Sequence, residues 1–277
     1  MAHTFFDRPS RSVGKQRQRL RDLLVGACAA LSLLATPAFA QPDPAAAAQT
    51  STAAPSNPDF LLGRPRASIG MRGNWHMATA GSDIYDFVTD QLTLEKSNFN
   101  TASLGVEVSA NLTPRFDLVA GMDLNRSRTP SEYRAFIDNR GLPIEQATEL
   151  NQLNFTGSLK VALLPKGRNV SRLAWIPRTI VPYVGGGGGI GQYTFRQSGD
   201  FVDFQDNRVF SDVFESDGWA PIAHVFGGTD VQVFSRLRMS LEGRYSWSKA
   251  DLGQDFIDFD PIDLGGFKFG VGFHLIF

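Results

Sequence analysis

Cysteine is nearly missing: Cys28 is the only one in 277 residues. It lies within an apolar run near the start. Only five uncharged residues, Leu23 to Ala27, precede it and the run continues past it, which makes a poor lipidation site. If that run is removed, the rest of the chain can form no disulfide and hold no thiolate. Histidine is also scarce, with four residues, and no HExxH, CxxC or comparable ligand spacing occurs. No metal, cofactor or catalytic constellation is expected. After residue 40 there is no stretch of 18 consecutive apolar residues, which excludes a membrane helix beyond that point. An excess of basic charge is lacking too. The first 40 residues hold six bases (Arg8, Arg11, Lys15, Arg17, Arg19, Arg21) and two acids (Asp7, Asp22) of the chain's 27 and 28. The remainder has 21 bases and 26 acids, net −5. That balance argues against a nucleic-acid partner.

The basic start is followed by "LLVGACAALSLLATPAFA", which closes on Ala38-Phe39-Ala40. Charge, an apolar core and a small-x-small end make a secretory signal over residues 1–40, with cleavage after Ala40. The alternative is a retained N-terminal anchor. Residues 41–61, rich in alanine, proline, serine and threonine and without apolar period, read as a disordered tether. Residues 62–277 suit a single domain.

Within that domain the dominant period is two, the mark of strands with unlike faces. In the last segment Phe267, Phe269, Val271, Phe273, Leu275 and Phe277 share one face. Lys268, Gly270, Gly272 and His274 share the other, with Ile276 as the one large apolar exception. The pattern recurs near residues 67–77, 102–112, 116–125, 153–163 and 237–248. Two weaker segments, 181–196 through a glycine run and 217–233 with its phase undetermined, bring the total to eight.

Two features decide which face points in. Charges of both signs lie on the polar face: Arg72, Glu107, Lys160, Arg238, Glu242, Arg244 and Lys268. They can pair inside a lumen that eight strands leave only wide enough for side chains. The apolar faces run for about eleven residues, near the 9–11 that a tilted strand needs to cross a bilayer. The expected fold is all-β: a closed antiparallel eight-stranded transmembrane up-and-down β-barrel. Long connections are expected over 78–98, 126–150, 197–216 and 249–263, with short turns at "TPR" and "FSR". The link "PKGRNVSRLAWIPRT" is longer than that rule allows.

The signal, "PYVGGGGGIG", "SLEGRYSWS" and the terminal "GVGFHLIF" resemble the small eight-stranded outer-membrane barrels of Gram-negative bacteria, OmpA-like and opacity-like, over residues 62–277. The resemblance implies an outer-membrane location, with both ends of the mature chain in the periplasm. It implies that Phe273, Leu275 and Phe277 form the signal read by the barrel assembly machinery. Outer-membrane lipid and lipopolysaccharide are the other expected partners of a monomeric barrel. The expected role is structural, or surface interaction through long outer loops, not an open pore and not an enzyme.

The alternative is a lipid A-modifying, deacylase-like enzyme. "EGRYSWSKAD" offers Glu242, Ser246 and Ser248. Tyr245 and Trp247 stand where the lipid A deacylases carry a histidine beside the serine. Only His224, on the strand of unknown phase, remains as a base. His76 and His274 fall at opposite ends of neighbouring strands. The run "GGGGGIG" lacks the Lys-Ser/Thr and helix of a phosphate loop, and reads as a bend or a close approach. Two near copies, "DFVDFQD" and "DFIDFDPID", place Asp200, Phe201, Asp203, Phe204 and Asp255, Phe256, Asp258, Phe259 on outer loops as a candidate interaction patch.

Overall fold

The computed structural model describes residues 61–138, 140–171, 174–203 and 208–277. The signal, all of the tether but Leu61, and Phe204 of the candidate patch lie outside these. Eight strands form the ring: β1 (Ala67–Ala78), β2 (Thr101–Asn111), β3 (Phe116–Ile137), β4 (Pro143–Ala162), β5 (Ile180–Val202), β6 (Val209–Phe234), β7 (Leu237–Ala250) and β8 (Gly266–Ile276). Each pairs antiparallel with its neighbour in sequence. β8 closes on β1 through Phe269↔Trp75 and Leu275↔Ile69, so the up-and-down barrel has no open edge.

Every apolar face read from the alternation points outward. Leu104, Met71, Phe269 and Phe273 are 69%, 68%, 55% and 53% exposed, while Arg72 and Lys268 opposite them are 7% exposed. This is the inside-out arrangement of a transmembrane barrel. β6 has its phase fixed: Trp219, Pro221, Ala223 and Val225 face out, and Ala220, Ile222, His224 and Phe226 face in. The exception on β8 is explained as well. Ile276 is 1% exposed and packs with Leu61 and Trp175, sealing the end of the barrel where the strand ring begins and ends. Trp175 belongs to the long link, whose residues Ala174–Pro177 pair with Gly167–Asn169 and with Leu61–Leu62. That small sheet is what the extra length builds.

The four long connections differ from simple loops. Two are largely strand. β3 and β4 run on together beyond the band, through Arg128↔Glu149 and Glu132↔Glu145, to a turn whose Asp138 accepts bonds from the Leu142 and Arg140 amides. Those bonds hold the Asp138 carboxyl below its ordinary range, the Leu142 amide contributing most. β5 and β6 run on likewise, through Thr194↔Asp217 to Val202↔Val209. The expectation of loops over 126–150 and 197–216 was wrong because the outward face there turns polar without losing its period.

The other two connections fold inward. After β1, helix α1 (Asp83–Gln91) buries Ile84, Tyr85 and Val88, one stripe at helical spacing, and presents Asp86 and Asp90 to solvent. A 3-10 turn (Lys96–Phe99) inserts Phe99. After β7, a second short turn (Gln254–Phe256) inserts Phe256, and Ile262–Asp263 pairs with the end of β7.

The glycine run of β5 is a close approach, as read. A methyl group on Gly187 or Gly189 would collide with the carbonyl oxygens of Gly157 or Phe155 on β4, and one on Gly185 with the Phe226 ring. Only bare backbone lets β5 curve so tightly against its neighbour.

Candidate functional site

The interior has two storeys. The lower one lies within the apolar band and is ionic. Arg72 on β1 reaches three carboxylates: Asp123 at 2.7 Å, Glu107 at 2.9 Å and Glu242 at 3.6 Å. Its Nε and Nη2 both donate to Asp123, a forked pair. Arg244 donates to Glu242 through Nε and Nη2, at 3.0 and 2.8 Å, and Tyr183 donates its hydroxyl to the other Glu242 oxygen at 3.0 Å. Lys160 donates to both oxygens of Asp230, at 3.0 and 2.9 Å, and Arg238 adds a contact at 3.4 Å. His274 lies 3.3 Å from Glu107. Near the strand termini Lys166 pairs with Asp117.

Of the seven charges read on the inner face, Arg72, Glu107, Glu242 and Arg244 form one connected cluster. Lys160 and Arg238 form a second with Asp230. Lys268 is buried beside Asp123 and Arg244 on the wall of a small cavity. Asp123 and Asp230, the anchors of the two clusters, were not singled out. The alternation already put Asp123 on the inner face of β3, but charge pairing across strands is invisible until register is known. Asp230 was hidden by the unassigned phase of β6. Aromatic faces complete the packing: the Lys160 ammonium sits 3.6 Å from the Tyr183 ring centre, and the Arg244 guanidinium 4.7 Å from that of Phe226.

The upper storey is apolar. Ile84, Tyr85, Val88, Leu92, Leu94 and Phe99 from the first inward connection meet Leu150, Tyr193, Phe195 and Ala220 from the strand extensions, and Phe256, Ile262 and Leu264 from the last connection. Tyr85 stands edge-on to Phe99 at 4.8 Å, and Phe195 to Phe256 at 5.4 Å. The Tyr85 hydroxyl donates to the Asp263 carbonyl at 2.9 Å, and burial raises its pKa above the ordinary value. This core is a plug across the barrel mouth.

The candidate patch divides along the same line. Phe201 and Phe256 are buried and Phe259 packs on Phe256 and Phe87, while Asp255 and Asp258 are exposed. Asp200 accepts a bond from Ser211, and Asp255 from the Glu215 amide at 3.0 Å. Asp203 lies at the end of β5, its amide bonded to the Arg208 carbonyl. Phe256 and Phe259 serve the plug, Phe201 packs edge-on against Phe214 beside it, and Asp255 and Asp258 lie exposed at its rim.

Ser246 and His224 are register partners across β6 and β7, yet no triad is assembled. His224 Nε2 is bonded to Ser158 at 2.8 Å, its Nδ1 is buried without a partner, and Ser246 donates to the Gly266 carbonyl. Ser248 is buried on the inner face of β7. His76 pairs with Lys268, six residues or about 20 Å along β8 from His274, and the two histidines share no ligand. Phe273, Leu275 and Phe277 stand outward in a row on and just past β8, 53%, 55% and 64% exposed.

No family model and no curated protein sequence matches the chain. Among solved structures it is similar to outer membrane protein OprG from Pseudomonas aeruginosa, with 12% identity over 78% of this chain and 99% of that one, TM-score 0.41. It is also similar to Ail, the attachment invasion locus protein of Yersinia pestis, with 12% identity over 76% and 99%, TM-score 0.40. A third is the outer membrane protease OmpT from Escherichia coli, with 10% identity over 79% and 98%, TM-score 0.34. The fold assignment rests on the closed strand ring itself.

Proposed function

We propose that this chain is an integral outer-membrane barrel, closed to diffusion, that works as a structural element and through the acidic surface at its plugged end. One observation carries the reading. A complete strand ring turns Met71, Leu104, Phe269 and Phe273 outward and pairs its charges inside. Water would not favour that exterior, and hydrocarbon would not tolerate open strand edges. The plugged end, carrying Asp86, Asp90, Asp255 and Asp258, then faces the cell exterior, and the strand termini face the periplasm.

Closure is supported twice over. Ion pairs fill the lower lumen, and the α1 plug covers the upper one. The catalytic alternative lacks support, because His224 is committed to Ser158 rather than to Ser246. Membrane fractionation and bilayer recording test the reading together. The protein should sediment with outer membranes, show heat-modifiable gel mobility and give no steady conductance. A protein that stays in solution without detergent would contradict the membrane assignment. A stable channel would contradict closure. Lipid A that changes mass when the gene is deleted would restore the enzyme.

A further inference from the structure

We propose that the rim at the strand termini is a collar for the phosphate headgroups of anionic phospholipid in the periplasm-facing leaflet. The proposal rests on the membrane-spanning reading above. At this end the described residues of 61–66, 112–115, 163–179 and 235–236 include Arg64, Arg66, Arg115, Lys166, Arg168, Arg178 and Arg236, and no aspartate or glutamate. The plugged end, over 79–100, 126–151, 192–218 and 249–264, has 18 carboxylates and eight cations among its described residues. The two rims therefore carry opposite charge.

Lys166 is neutralised inside by Asp117. Arg66, Arg115, Arg168, Arg178 and Arg236 are exposed, and none forms an ion pair with another described residue. Four of them are evenly placed: Arg66 before β1, Arg115 between β2 and β3, Arg178 before β5 and Arg236 between β6 and β7. One guanidinium thus stands at every second strand or so of the ring. Their backbones are fixed. The Arg66 amide donates to the Phe277 carbonyl at 2.8 Å and that of Arg178 to Lys166 at 2.7 Å. The Arg115 and Arg236 carbonyls accept from Ala162 at 2.7 Å and Ile276 at 2.9 Å.

Each of the four also adjoins the apolar band. Phe116, Ile180 and Phe234, within two residues of Arg115, Arg178 and Arg236, are 41%, 56% and 61% exposed, and Phe277, bonded to Arg66, is 64% exposed. Arg168 shares its segment with exposed Leu163, Leu164 and Val170. A ligand that meets guanidinium and greasy surface together has a phosphate and acyl chains. Free phosphate would use only the first. Guanidinium forks match phosphate oxygens, and cations close to an anionic leaflet gain from its potential.

The test uses residues 41–277 refolded into phosphatidylcholine bilayers containing either spin-labelled phosphatidylglycerol or spin-labelled phosphatidylcholine. Electron spin resonance reads the motionally restricted fraction of each. The parent should favour phosphatidylglycerol by at least about fivefold, a preference that weakens in high salt. The variant R66Q/R115Q/R178Q/R236Q should bring the ratio close to one. The single variants R115Q and R236Q, in short turns, should each lower it in part and keep the test open if the fourfold change misfolds. A parent ratio of one, or a ratio unchanged in folded variants, overturns the collar. Recognition of the cell-wall polymer instead would leave the ratio at one and retain only the parent on isolated sacculi, which also overturns it. Failure of the parent to insert, read from its gel mobility, removes the membrane reading first.

Discussion

The banded half and the plugged half of this barrel share strands, yet their faces are reversed. Along β3, Leu118, Ala120, Met122 and Leu124 face out within the band, and Arg126, Arg128, Pro130 and Glu132 face out beyond it. On β5, Ile190 gives way to Gln192, Thr194 and Arg196, and on β6 Trp219 gives way to Asp217 and Glu215. Inside, the ion pairs give way to Leu150, Tyr193 and Phe195 among uncharged polar groups such as Ser131, Gln146 and Thr148. On β3, β5 and β6 the period of two stays constant while the outward face turns from greasy to polar. Strand geometry needs only the alternation; the solvent on each side decides which set is greasy. One continuous sheet therefore holds an ionic interior where it meets hydrocarbon and an ordinary apolar core where it meets water.

Substitutions can break this comparison at graded cost. The largest effect is expected from Arg72→Met. It leaves Asp123, Glu107 and Glu242 without their shared cation, a loss of about 3–5 kcal/mol. The folded, heat-modifiable band should weaken sharply in detergent, and its urea midpoint should fall. Phe256→Ala should cost about 3–5 kcal/mol, but only in the plug. Limited proteolysis should then cut near α1 and residues 251–264 while the ring stays folded. If the whole barrel melts as one unit instead, the two halves are not separate in energy.

A paired substitution sharpens the contrast. Val106→Arg, at the middle of the band, should cost about 2–4 kcal/mol, whereas Val213→Arg on the outer face of the β6 extension should cost 0–1 kcal/mol or so. Equal costs in refolding experiments would place both positions in one solvent. The smallest effect is expected from Arg128→Ala. It removes the exposed pair with Glu149, 3.1 Å apart, for at most about 1 kcal/mol. Its unfolding curve should overlay that of the parent.

The band was legible in the sequence because six of its strands alternate, with apolar residues on one side and mostly polar residues or glycine on the other. β2 shows this without interruption, and β8 does so up to Ile276. The plug was not legible. Ile84, Tyr85 and Val88 make a helical stripe within a single turn or so, and their partners Phe195, Leu150 and Phe256 are distant in sequence. "DFIDFDPID" was readable as a greasy and acidic loop, but the direction of Phe256 depends on the hollow above the lumen that receives it. β6 mixes Ala220, Ile222 and Phe226 inside with Trp219 and Val225 outside, so apolar residues occupy both faces and the period carries no phase. Its anchor, Asp230, became visible only with the register to β7.

Spin labels placed one at a time at Leu104 and Val213, two outward positions on opposite sides of the switch, test the central claim most directly. In lipid vesicles the label at Leu104 should relax with dissolved oxygen and ignore a water-soluble nickel complex, and the label at Val213 should do the reverse. If both labels respond to nickel alike, the apolar exterior does not face hydrocarbon, and the account of this barrel fails.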